Sequence, residues 1–393
     1  MPEPSALRLA GVEVRRLDLS LRRRVGTSTG PHDRRPVLLV RLVTDGPEGW
    51  GECGALEHPG TVDPGVAAVH DALVGRAVGR LFDATRARLG LLPPASVIAR
   101  IAGDDRADKQ AGAALEMAVL DAQLRDRDTS LAAWLGATRE EVEAGALVGI
   151  PPPGPAGTPD PRAFAASVTE VVQAGYRRVR IKIAPGWDAE PVRLARELAG
   201  PDALLLADAN GAYRLDAEGP DGARALSALD PYRLVCVEQP LPPGDLAAHA
   251  ELARRIATPV GLDESLSSPR RVVDALRYGA CSVACLKPAR LGGVAAVRRA
   301  QGLCADAGVP AFVGGFFETG LGRSANAALG ALAGFTLPGD LSAPSEYLDA
   351  DPFTYPTVLA GRVAVPTGPG VGSVPRPGVI DQRTTETRWF SLR

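Results

Sequence analysis

Five charged residues in this 393-residue chain each close an apolar run of strand type. Asp208 stands in LLLADAN, Glu238 in RLVCVEQP and Asp263 in TPVGLDES, and Lys182 and Lys287 close two further runs, in RVRIKIAP and VACLKPAR. Three carboxylates make an all-oxygen ligand set, which suits Mg²⁺ or Mn²⁺ better than zinc. A single acid at a strand end is commonly a helix N-cap or a solvated loop residue. Three successive strands ending this way are harder to explain so. Each lysine sits in an apolar alternation, where an amine needs a neighbouring charge or a reaction to justify it. Near a divalent cation, like-charge repulsion and desolvation disfavour the ammonium form and bring the amine toward the range of a general base. Two amines flanking a metal therefore suit removal of a proton next to a carboxylate.

The elements that must position these groups follow from spacing. The steps from 208 to 238 and from 238 to 263, 30 and 25 residues, fit strand, helix, strand units. Strands are predicted at 145–150, 178–183, 203–208, 234–238, 260–263, 283–287, 311–314 and near 335–337, with helices at 189–198, 246–256, 269–278 and 293–307. Eight strands can close a parallel barrel, whose strand C-termini converge on one rim. An open doubly wound sheet is the competing α/β architecture, but no GxGxxG opens the first βα turn. Before residue 140 the pattern differs. Strands are expected at 6–19, 35–44 and 49–55, a polar loop RRRVGTSTGPHD joins the first two, and helical periodicity covers 66–92 and 107–135, which makes a small α+β domain. The expected division is 1–140 for this domain, 141–350 for the barrel and 351–393 for a Val-rich segment that returns to the first domain.

Composition narrows the function classes. Hydrophobic residues at 45% and charged residues at 23% describe a chain able to bury a large core, and a net charge of −2 with dispersed Lys and Arg argues against nucleic acid as a partner. No apolar run reaches signal-peptide or transmembrane length, so secretion and membrane spanning are not expected. The five cysteines are odd in number and lie in apolar patterns, as in a reduced cytoplasmic protein; Cys281 and Cys285 lack a second Cys or His pair at zinc-finger spacing. The segment PPPGPAGTPDP, 151–161, reads as a loop. The four histidines fall away from the late barrel strands, and no GxSxG elbow is present, which speaks against a His base there and against a Ser-His-Asp hydrolase.

The ordered set RIK, DAN, EQP, DES, KPARLGG and GGFFETGLGRSAN, with GWGECGALEHPG upstream, resembles the enolase superfamily. Within it the motifs resemble the muconate-lactonizing subgroup and its o-succinylbenzoate synthase and N-succinylamino acid racemase family. The resemblance spans nearly the whole chain. It implies a modified TIM barrel of (β/α)7β type under an N-terminal capping domain, with a mobile lid at about 20–32. It also implies Mg²⁺ on Asp208, Glu238 and Asp263, with Mn²⁺ as a substitute, Lys182 as the catalytic second lysine of a KxK motif, and Lys287 on the opposite face of the substrate. The first lysine of that motif is Arg180 here, a permanent cation that can lend charge but cannot act as a base. Asn210, Glu264 and Ser265 are expected beside the metal ligands or the substrate. Arg290 stands where family members with racemase activity also carry Arg. Gly314, Gly315, Glu318 and Thr319 would form a loop for the substrate's carboxylate or succinyl end, or else a tight turn into a helix. The implied activity is a metal-dependent syn dehydration of 2-succinyl-6-hydroxy-2,4-cyclohexadiene-1-carboxylate to 2-succinylbenzoate, a step of menaquinone synthesis. N-succinylamino acid racemisation is the alternative. Dipeptide epimerisation is disfavoured because its DxD element, Asp349 and Asp351 here, lies about eight residues too late. A small-molecule carboxylate is the expected substrate and a homo-oligomer the expected state.

Overall fold

Alternating apolar residues from Leu9 onward form a long strand whose inward side chains, among them Val12, Val14, Leu17 and Leu19, are fully buried. This strand, β1 (Leu9–Thr27), pairs antiparallel with β2 (Gly30–Thr44), which pairs with β3 (Gly49–Cys53). The strand Thr384–Ser391 adds to the other edge of β1, so the chain's last segment joins its first sheet. The computed structural model describes residues 6–28, 30–215 and 222–392. Residue 29, within the expected lid, lies outside them. The helix Arg106–Arg125 crosses β3 closely, because a side chain at Gly49 or Gly51 would strike the carbonyls of Ala118 and Ala114.

The expected polar loop, 22–33, and the lid expected at about 20–32 fall instead on two arms of a β-ribbon, with an irregularity between Ser20 and Val25 and Thr27 paired with Gly30 at its end. Its tip reaches the barrel: Ser28 Oγ donates to the Ala209 carbonyl at 2.9 Å, and Gly26 bridges Ile150. The helical stretch expected at 66–92 ends at Arg86 and includes a π-turn at Leu73–Ala77, and a further helix spans Ala95–Ala102.

Seven parallel strands follow: β4 (Gly145–Val148), β5 (Arg178–Lys182), β6 (Leu204–Asp208), β7 (Cys236–Glu238), β8 (Val260–Leu262), β9 (Val283–Leu286) and β10 (Ala311–Val313). They neighbour one another in chain order in one curled sheet. Nearly every residue in them is buried, as expected for a parallel sheet covered on both faces. Side-chain N-caps start several of the helices that follow these strands, with Asp160, Asp188, Asp245, Ser268 and Thr319 each accepting a backbone N–H.

The eighth strand expected near 335–337 does not form. Pro338 has no N–H to give a ladder there, and 335–341 closes the barrel as irregular chain with a single bridge, Gly339 to Ala144. Thr336 N donates to Ala311 O at 3.1 Å and Asp340 N to Val313 O at 2.8 Å on the β10 side; Gly145 N donates to Gly339 O at 2.7 Å on the β4 side.

Candidate functional site

Lys182 ends β5, Asp208 ends β6 and Glu238 ends β7, and the register pairs Lys182 with Asp208 and Asp208 with Glu238. Asp263 follows β8 and Lys287 follows β9. Neighbouring strands thus bring all five to one rim, and the three acids are wholly buried. Lys182 Nζ lies 2.6 Å from Asp208 and 2.7 Å from the Asn210 side-chain oxygen. Lys287 Nζ lies 2.8 Å from Asp263, with the Phe316 ring centroid 4.4 Å away. The amines are therefore held on different outer acids of the triad.

Side chains on β5 alternate, so Arg178, Arg180 and Lys182 share the inward face while Val179 and Ile181 point out. One nitrogen of Arg180, Nη2, is 2.7 Å from Asp208 and 3.6 Å from Asp263 and bonds Glu238 as well. A single cation-sized volume accordingly faces all three carboxylates. Nε of the same group donates to the other Glu238 oxygen at 2.8 Å, which makes the pair bidentate.

The electrostatics follow from burial and from these cations. Burial pushes Asp208 up, but Arg180 and Lys182 outweigh it and hold it below the ordinary carboxylate value. Burial likewise opposes Asp263, and Arg290 and Lys287 hold it well below that value. Glu238 is pushed up to about 8, first by burial and then by Asp208 and Asp263, against the pull of Arg180. Burial would lower Lys287, yet Asp263 keeps it above its ordinary value.

Glu238, Asp263 and Cys285 offer ligand-type atoms mutually within 4.8 Å. Burial, then Asp263 and Glu238, push the Cys285 thiol well above its ordinary value, so it stays protonated and is a poor ligand. Asp208, Glu238 and Asp263 are the oxygen set that fits a hard divalent cation.

Around this core, Asn210 donates to Glu264 at 2.9 Å, and the second Glu264 oxygen is buried without a partner. Ser265 is held by Gln239, which also bonds the buried His249, so Ser265 belongs to a supporting network. Arg290 bonds Asp263 and grips Asp63 of the first domain through two nitrogens, at 3.0 and 2.6 Å. Gly314 packs against Lys287 and Cys285, where a side chain would meet Lys287 Cγ at 2.8 Å. Gly315 N donates to Asp340 at 3.2 Å. Glu318 pairs with Arg323 at 3.2 Å, and Thr319 caps the helix Gly320–Gly330 while its N–H and hydroxyl donate to Glu52 of β3. Those two therefore serve the turn into the helix and the contact between the sheets. Asp349 and Asp351 are tied to Ser20 and to Gly320 and Phe353, away from the lysines.

Asp63, Phe316 and Asp340 join the site without having been singled out in the sequence. Asp340 bonds Arg178 and lies 3.2 Å from Arg180. A counter-acid for two buried arginines on one strand was the signal that could have found it. The sequence pattern gives no role to His32, yet the ribbon brings it close enough to Lys182 that this amine, after burial, lowers its pKa. A separate cavity of about 240 Å³ is lined by Arg139, Glu141, Arg362 and the 335–341 segment; both arginines there are already bonded to carbonyls or acids.

Residues 11–136 match the family described as mandelate racemase / muconate lactonizing enzyme, N-terminal domain, and residues 163–379 match the enolase C-terminal domain-like family. An N-succinylamino acid racemase of Amycolatopsis sp is 42% identical over 98% of this chain and 100% of its own length. An o-succinylbenzoate synthase of Geobacillus kaustophilus is 37% identical over 93% of each chain. The structure of a probable mandelate racemase from Alicyclobacillus acidocaldarius superposes with a TM-score of 0.83 at 34% identity, covering 98% of this chain and 100% of that one.

Proposed function

The chain belongs to the enolase superfamily, in its mandelate racemase and muconate lactonizing enzyme branch, and on that premise we propose that it is an o-succinylbenzoate synthase. It would convert 2-succinyl-6-hydroxy-2,4-cyclohexadiene-1-carboxylate into 2-succinylbenzoate and water, as a carbon–oxygen lyase of menaquinone biosynthesis in the cytoplasm. The observation that carries the reading is the pair of buried lysines held on different acids of one carboxylate triad. Asp208, Glu238 and Asp263 would hold Mg²⁺, or Mn²⁺ in its place. Bound there, the ion supplies positive charge for a substrate carboxylate that gains electron density as its α-proton leaves.

Lys182 takes that α-proton as general base. The resulting ammonium returns it to the departing hydroxyl on the same face, so one C–H and one C–O bond break, a ring double bond forms and water leaves. Aromatisation drives the step forward. Lys287, kept cationic by Asp263 and seated against Phe316, faces the developing charge from the other side. Arg180 contributes charge and no proton transfer. The tip of the β1–β2 ribbon, already bonded to Ala209, would act as the lid that excludes water. The substrate is a small carboxylate and the working form a homo-oligomer.

A second reading, N-succinylamino acid racemisation, is favoured by the 42% identical relative and by Arg290 beside Lys287. Lys182 and Lys287 would then alternate as acid and base on opposite faces. Dipeptide epimerisation draws no support from Asp349 and Asp351, which are engaged elsewhere.

Purified protein with Mg²⁺ should form 2-succinylbenzoate, and Lys182→Ala should lose about 10²- to 10⁴-fold in rate. A near wild-type rate in that variant would move the base elsewhere. Deuterium uptake by both hands of an N-succinylamino acid, without dehydration, would favour the second reading. Turnover of neither substrate would remove both.

A further inference from the structure

We propose that Arg180 is a built-in counter-cation of the carboxylate triad, anchored by Asp340, and that a divalent cation binds by exchanging with its guanidinium. This inference rests on the metal role given above to Asp208, Glu238 and Asp263.

The contacts of one side chain carry it. Nη2 reaches acids from three successive strand ends, at 2.7 Å for Asp208, 3.6 Å for Asp263 and in direct bonding contact with Glu238. Nε holds the remaining Glu238 oxygen at 2.8 Å, so both oxygens of that residue are bonded to the same guanidinium. The three acids are fully buried and Arg180 is nearly so. Water cannot screen their mutual repulsion there, and a cation in contact with all of them lowers its cost. A divalent ion needs the same oxygens. Guanidinium and metal are therefore competing ligands for one set of acceptors, and whatever holds the first weakens the second by linkage.

The opposite edge of the guanidinium is also held, with Nη1 3.2 Å from Asp340. Asp340 itself bonds Arg178 and accepts from Gly315 N at 3.2 Å, so it is a fixed acceptor on the side away from the triad. Only a planar fork with several donors can bond both Glu238 oxygens and Asp340 together; the compact ammonium of a lysine has one nitrogen to offer. Arginine at 180 thus holds the acids together in the metal-free protein and makes metal entry harder than lysine would. Asp340 adds to this, because it bonds the guanidinium in the position in which it contacts the triad.

The test uses Mn²⁺ as probe on the full chain stripped with a chelator, with binding read by calorimetry and metal-free stability by thermal melting. Arg180→Lys should bind Mn²⁺ about ten-fold more tightly than wild type, the equivalent of one charge-assisted hydrogen bond no longer broken, and should melt lower without metal. Asp340→Asn should tighten Mn²⁺ binding several-fold when Arg180 is present, because the guanidinium loses its anchor, and have little effect in Arg180→Lys. Equal Mn²⁺ affinity in wild type and Arg180→Lys, within about two-fold, would overturn the exchange while leaving the metal site standing. An Asp340→Asn effect of the same size in both backgrounds would remove Asp340 from it. Failure of both proteins to take up Mn²⁺ at millimolar concentration would overturn the metal reading and this inference together. If Asp340→Asn does not fold, the comparison of wild type with Arg180→Lys decides alone.

Discussion

Glu116 offers the sharpest link between a buried charge and a measurable slope. It lies on the helix Arg106–Arg125 and reaches across to the helix Val294–Asp306, accepting from Val294 N at 2.6 Å and Ala295 N at 3.2 Å. That helix starts at Gly293, which has no side chain to cap it and no room for one, because Glu116 would be struck. Burial pushes the Glu116 carboxyl from 4.5 up to about 7, against the pull of Ala295 and Val294. Between those two values the folded chain keeps a proton that the unfolded chain has lost. Stability from this group is therefore complete below about pH 4.5 and is lost as pH rises through 7. At about 1.4 kcal/mol per pH step, the loss amounts to about 3 kcal/mol. Glu116→Gln cannot ionise and lacks this slope, although one helix N–H is left without its acceptor, a pH-independent cost of about 1–3 kcal/mol. With an unfolding entropy of about 2.1 cal/mol/K per residue, 1 kcal/mol corresponds to roughly 1.2 °C in a chain of this length. Melting of both proteins from pH 5 to 8.5 should show the variant gaining about 3–4 °C on wild type as pH rises. A difference that stays constant within about 1 °C refutes the assignment of a neutral, buried cap to Glu116.

Three further substitutions probe other joints of the molecule. Gly51→Ala forces a methyl into the Ala114 carbonyl under β3 and should cost about 1–3 kcal/mol in urea unfolding; an unchanged midpoint would mean the helix is free to shift. Gly314→Ala pushes on Lys287 and Cys285, so turnover should fall at least about ten-fold while the melting temperature stays near wild type; retained turnover would show that Lys287 tolerates displacement. Asp63→Asn removes the charge from the grip on Arg290 across the two domains, and turnover should fall several-fold with partial recovery in Asp63→Glu; identical kinetics in all three proteins would make the contact incidental.

The positions of the rim residues were legible because a parallel strand is an apolar run and a charge ending it stands out by type alone. Spacing then placed Asp208, Glu238 and Asp263 at the ends of consecutive strands; the ladder register pairs Asp208 with Glu238, and Asp263 follows β8 just beyond Gly261, the partner of Glu238. What closes the barrel was not legible in the same way. The 335–341 segment satisfies hydrogen bonds on both sides without strand geometry, so its GFTLPGD pattern carries no period-two signal. The ribbon at 20–32 was obscured for the opposite reason. Its polar residues suit a loop by composition, yet pairing along β1 and β2 continues nearly to the tip because both arms are long enough to reach Ile150 and Ala209. Contacts across the domains, such as Asp63 with Arg290 and Glu52 with Thr319, join residues about 230 to 270 positions apart, and no local pattern announces them.

The two departures from a regular barrel meet at one carboxylate. The eighth strand is missing, and the inward face of β5 carries two arginines below its lysine. Three buried cations stacked on one strand need acids on their inner side. Asp208 and Glu238 serve Lys182 and the upper edge of Arg180, but neither bonds Arg178. Asp340 fills that place from the irregular segment, bonding Arg178, lying against Arg180 and accepting from Gly315 N beside the glycine that packs on Lys287. Through its N–H to Val313 the same residue also ties the segment to β10. The irregular closure and the unusual arginine are therefore parts of one charge network, and a change at either should be felt at the other.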